Sequence, residues 1–185
     1  MKLYFNTETN RIFIAETSTE GVELISREHF NVAFKSIYTG RSLDYKYLET
    51  IYYKVLTAYA EANCATTIAE IGFDTTVESE CIAYSEQHPE LNWNYSIIRH
   101  NNYLRQYTDQ FVYGIVIHEI AHTVVNEQLG YGNILTFRRR NGESHDQLFV
   151  DTVNKVQFKF KLNGFEKAYV KTEKYLKINQ HKKKK

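Results

Sequence analysis

The residues best suited to chemistry are His118-Glu119-Ile120-Ala121-His122. On a helix, residues four apart sit one turn above each other, so both imidazoles can face one metal ion. Glu119 is rotated by about 100° from His118 and can reach a water on that ion without ligating the metal itself. Phe111, Val112, Ile115, Val116, Ile117, Ile120, Ala121, Val124 and Val125 surround the motif and cover most of the circumference of a helix predicted over residues 109–128. Such a helix belongs inside the domain, and Gly130 and Gly132 are placed to end it. Two imidazoles and a carboxyl buried there need partners, because an unsatisfied polar group costs about 2–7 kcal/mol. A zinc ion in a polar cleft meets that need. The alternative is a pair of core histidines hydrogen-bonded to backbone or buried water.

A catalytic zinc usually takes three protein ligands and keeps one position open. The candidates downstream are His145, Glu127, Glu143, Asp146 and Asp151. His145 is preferred. Ser144 and Gln147 match a Ser-x-x-Gln capping box, which predicts a helix starting near Ser144 with His145 at its first position. Glu143 is the alternative ligand. Glu127, five residues beyond His122, is expected to point elsewhere, and Asp146 is a candidate for orienting an imidazole. His29, His88, His100 and His181 lack partners at ligand spacing and read as surface or structural residues.

The HExxH run, followed by Ser144-His145-Asp146-Gln147-Leu148-Phe149, resembles the SprT-like and Spartan-type zinc metalloproteases. In that family an HExxH helix precedes a third His in a His-x-x-x-Phe or His-x-x-x-Trp context that opens a helix. The similarity spans about residues 111–153. It implies a compact zincin-like α+β domain, with the HExxH helix packed with two other helices and a small, mainly antiparallel sheet. It also implies a peptidase holding Zn2+ through His118, His122 and His145, with Glu119 as general base, and protein substrates that include DNA-bound ones. Two features depart from the family pattern. No cysteine follows Cys81, so the Cys-rich zinc ribbon common after the protease core is not in this sequence, and Asp146 stands where Gly is common.

The positioning elements are legible in part. Leu3-Tyr4-Phe5 and Ile12-Phe13-Ile14 flank a polar stretch and predict a β-hairpin within residues 1–16. Residues 17–41 give no clear pattern. Leu48, Ile51, Tyr52, Val55, Leu56 and Tyr59 recur at helical spacing, predicting a helix over residues 42–62 capped by Ser42 or Asp44. Residues 66–84 read as short strands. Leu91, Trp93, Tyr95 and Ile97 alternate with polar residues, which predicts a half-buried strand. That strand is either the cleft edge that pairs with an extended peptide or an ordinary edge strand. Phe149, Val150, Val153, Val156 and Phe160 continue an apolar face after the predicted cap.

The bulk properties bound the remaining choices. At 185 residues the chain suits one domain, expected over residues 1–164. Its start turns polar within six residues, unlike a signal peptide, and no apolar run approaches the roughly 18 residues of a membrane span. Cys64 and Cys81 form no disulfide framework or zinc finger and read as small core residues. A reducing, cytoplasmic setting without a membrane partner is expected. With 15 Tyr and one Pro, the composition is compatible with an AT-rich or viral genome. From Lys155 onward there are 11 Lys and two Glu, which leaves the preceding chain net acidic. The basic tail, residues 165–185, is either a solvated extension or a contact for nucleic acid, aided by Arg138, Arg139 and Arg140. Tyr131 and the same arginines are candidate donors to an oxyanion. Two further functions stay open: a metal-holding scaffold without turnover, and a nucleic-acid-associated protein that relies on its tail.

Overall fold

The structure is a computed structural model that describes residues 1–74, 83–87, 96–130 and 145–162. The expected hairpin is present as β1 (Lys2–Asn6) and β2 (Arg11–Ala15), paired antiparallel with Leu3 opposite Ile14 and Phe5 opposite Ile12. The turn is closed by the Asn6 side chain, whose Oδ1 accepts from the Glu8 and Thr9 amides, and by Asn10 at φ 49°, a backbone region that Asn tolerates better than most residues. Strand alternation separates two faces. Leu3, Ile12 and Ile14 join the main core. Tyr4 and Phe13 stack at 5.4 Å on the opposite face, where the Arg11 guanidinium lies over Phe13.

A short strand, β3 (Val22–Glu23), pairs with β1, and helix α1 (Arg27–Ile37) follows. The sequence reading left this region unassigned, yet its pattern is orderly. Ser26 caps the helix by accepting from the His29 amide, and Phe30, Ala33, Phe34 and Ile37 form the buried stripe. Helix α2 (Ser42–Glu61) matches the predicted span and buries the predicted face. Its start differs from expectation, because neither Ser42 nor Asp44 makes a side-chain cap. Asp44 is instead fully buried against the guanidinium groups of Arg41 and Arg105.

Strand β4 (Thr66–Asp74) is one nine-residue strand rather than the several short ones expected for that stretch. It pairs antiparallel with β2 on one side and parallel with β6 (Ser96–Asn101) on the other, and β5 (Ala83–Gln87) lies antiparallel beyond β6. The six-stranded order is β3-β1-β2-β4-β6-β5, mainly antiparallel with one parallel pair. The expectation for residues 91–98 therefore changes. The part described here begins at Ser96, runs inside the sheet, and buries Ser96, Ile97 and Ile98 in succession. Burial on both faces removes alternation. Residues 91–95 lie outside the described segments, and the described edge on this side is β5.

Helix α3 (Asp109–Leu129) carries the HExxH motif, with Thr108 capping its start and Gly130, at φ 77°, ending it. Helix α4 (Gln147–Gln157) and a 3-10 turn, Phe158–Phe160, close the described chain. The fold is α+β, with α3 packed against α2, α4 and the sheet strands β4 and β5. Three contacts occur in the same order along α2 and α3: Tyr47 to Asp109, Lys54 over the Tyr113 ring, and Tyr59 to Ile117. The two helices thus run in the same direction. Among the described residues no helix is long and apolar enough to cross a membrane. Cys64 is a buried core residue, as expected, whereas Cys81 and the basic tail lie outside the described residues.

Candidate metal centre

Helix α3 is held in place before any ligand is considered. Its buried residues face α2, α4 and the sheet, so neither rotation nor sliding is available without exposing apolar surface. Two buried polar contacts fix its register near the motif. The Tyr59 hydroxyl donates to the Ile117 carbonyl at 2.7 Å, one residue before His118. Thr123, one residue after His122, pairs its hydroxyl with that of Thr66 on β4 and also donates to the Ile120 carbonyl at 2.8 Å.

His118 and His122 lie one turn apart on the same side of α3, His118 buried and His122 half-buried. His145 comes from the bend just before α4. The three Nε2 atoms converge, each 3.1 Å from the other two. Sequence reasoning placed His145 correctly in the cluster but for a different local reason. The helix cap is Asp146, whose Oδ1 accepts from the Phe149 amide at 3.0 Å, so His145 precedes the helix rather than opening it. Asp is as good a cap as Ser, and here it lies two residues later. Ser144, the expected cap, lies outside the described residues, as do Glu143, Tyr131 and the three arginines. Asp151 is exposed on α4, and Glu127, half-buried late in α3, does not join the three histidines.

Hydrogen bonding alone does not satisfy this triangle. Each neutral imidazole nitrogen is either a donor or an acceptor. Among three mutually close nitrogens at most two contacts can be donor–acceptor, so one is always mismatched. A cation accepting three lone pairs has no such conflict. The spacing fits as well: nitrogens bound tetrahedrally at about 2.0–2.1 Å lie about 3.3 Å apart, close to the 3.1 Å seen. Burial lowers the pKa of His118 well below the usual histidine range, with His122 and His145 adding to the effect. The imidazole therefore stays neutral and keeps its lone pair available for a metal. These three histidines could hold a metal ion.

No protein-family model matches the chain. No curated protein and no solved structure matches it either. What the chain can do is therefore argued from the site.

Glu119 is 3% exposed. Burial pushes its carboxyl up to about 8, because taking a carboxylate out of water favours the protonated form. Its charge is felt at Tyr52, a fully buried residue of α2 whose hydroxyl pairs with His100 Nε2 at 2.7 Å. His100, read from sequence as surface or structural, is a buried structural residue on β6 and is held neutral by burial, which lowers its pKa to about 3. Sequence reasoning did not single out Phe149, beyond its place in an apolar face and in the His-x-x-x-Phe spacing. Its ring lies 4.7, 4.5 and 4.8 Å from those of His118, His122 and His145.

Proposed function

We propose that this chain is a zinc-dependent metallopeptidase that hydrolyses peptide bonds in protein or peptide substrates. The observation that carries the reading is the convergence of three imidazole nitrogens, two of them on the helix that also carries the buried carboxyl of Glu119. Three neutral nitrogen donors are a donor set of catalytic zinc, whereas hard cations such as calcium prefer oxygen. Zinc held by His118, His122 and His145 would supply Lewis acidity, polarising the scissile carbonyl and making water acidic enough to react near neutral pH.

The chain's own residues do the rest. Burial raises the carboxyl of Glu119, and a zinc ion beside it would draw its pKa back down, so that it could accept a proton near neutral pH. It takes the proton of the attacking water and returns it to the departing amine. Tyr59 and Thr123 hold the helix so that the carboxyl and the imidazoles keep their relative orientation. Among the described strands β5 has one neighbour, β6, and it packs against α3. An extended peptide substrate would pair with the other side of β5 through main-chain hydrogen bonds.

The test is hydrolysis of an unfolded protein substrate by zinc-loaded protein, compared with Glu119→Gln. The variant should bind zinc as the parent does and lose at least 100-fold in turnover, within the usual worth of a general base. Parent-like turnover in the variant would sink the proposal.

A further inference from the structure

Four aromatic rings pack at the candidate centre in a regular figure. The centroids of His118, His122 and His145 are 4.8, 4.8 and 4.9 Å apart. Phe149 lies at 4.7, 4.5 and 4.8 Å from them. A point nearly equidistant from three corners must lie over the middle of their triangle. These lengths put the phenyl centre about 3.7 Å from the plane through the three imidazole centroids, within packing range of all three rings. Phe149 is fully buried, and α4 fixes it through the Asp146 cap on its own amide. The phenyl therefore closes one face of the histidine triangle with a wall that offers no ligand atom.

We propose that Phe149 is a positioning residue that makes the metal centre one-sided. An ion bonded to all three nitrogens takes its remaining ligand only from the face away from the phenyl, and a second ligand from the opposite side is excluded. The phenyl also packs the three rings from one direction, so each imidazole keeps the tilt that aims Nε2 inward. Its ring meets His118 and His145 at 70° and 67° but His122 at 34°. The phenyl thus meets two rings nearly edge-on and the third at a shallower angle, and an aliphatic side chain, which has no flat face, does not reproduce this. The inference rests on the metal reading and deepens it: Phe149 governs coordination number and affinity rather than the proton chemistry.

Phe149→Leu keeps an apolar side chain of similar bulk in the core. Zinc affinity, measured by competition with a chromophoric chelator, should fall by about 10- to 100-fold, the range for residues that orient metal ligands. The cobalt-substituted variant should lose the intense visible absorption of four-coordinate cobalt and show the weak bands of a higher coordination number. Val156→Ala, a buried change on the same helix, controls for general loosening of α4 and should leave the cobalt spectrum as in the parent. Should Phe149→Leu prove unfolded by circular dichroism, Phe149→Met carries the same comparison. Parent-like affinity and spectrum in the folded variant overturn the proposal, and so does an equal change in Val156→Ala. If the parent itself binds neither ion, the metal reading fails. If the parent binds, His122→Ala abolishes binding and Phe149→Leu is silent, then the role of Phe149 alone fails.

Discussion

Glu119 should contribute less to the stability of the metal-free protein at neutral pH than it does in acid. Burial raises the carboxyl from 4.5 in the unfolded chain to about 8 in the fold. Because the folded value lies above the unfolded one, the protonated carboxyl favours the fold fully below pH 4.5, and that advantage is lost as the pH rises towards 8. The slope is about 1.4 kcal/mol per pH unit, so the loss is about 3 kcal/mol at pH 7 and approaches 5 kcal/mol above pH 8. Glu119→Gln has no proton to lose. Relative to the parent, the chelator-treated variant should gain stability steadily from pH 4.5 to 8, by roughly 3 kcal/mol at pH 7, or on the order of 10 °C in melting temperature. Urea unfolding of both proteins across pH 4.5–8.5 in the presence of a chelator measures the difference directly. Other titrating groups, His118 included, are common to both proteins and cancel. A difference that stays constant over this range would refute the reasoning.

His100 predicts the opposite slope in acid. Its folded pKa, lowered from 6.5 to about 3 by burial, means that the fold loses about 1.4 kcal/mol per pH unit between those values. Urea unfolding between pH 4 and 6.5 should therefore show a shallower acid limb in His100→Leu than in the parent, and parallel limbs would contradict the assignment. Asp146→Ala removes the cap of α4, with an expected cost of about 1 kcal/mol in chemical denaturation. Since the cap directly follows His145, zinc titration should show weaker binding as well.

How much of this was legible from residue order varies with the kind of burial involved. The hairpin was readable from two apolar triplets flanking a polar stretch, α2 from an apolar face repeating at helical spacing, and α3 from apolar residues nearly all round a long run. Helix α1 was missed although Phe30, Ala33, Phe34 and Ile37 have helical spacing. The stripe is short, and exposed Val32 lies within it at 67% exposure and blurs the period. Strand β6 misled for a different reason. Flanked by β4 and β5 it is buried on both faces, so the alternation read across residues 91–98 does not describe the part seen from Ser96 onward. At the centre, His118, Glu119 and His122 follow from spacing within one helix. His145, preferred on a capping box and a family resemblance, does lie with the other two histidines, but the cap is Asp146. Phe149 was invisible as a contact of all three imidazoles, because that requires knowing how α3 and α4 cross.

The position of the third histidine has a consequence for folding as well as chemistry. His122 and His145 are 23 residues apart in the chain, one on α3 and the other in the bend before α4. An ion shared between them is a cross-link. Because the two ligands come together only in the fold, such an ion would stabilise the folded state by its own binding free energy. Metal supply would then set how much of the newly made chain reaches the folded state with α4 docked, before any substrate is met.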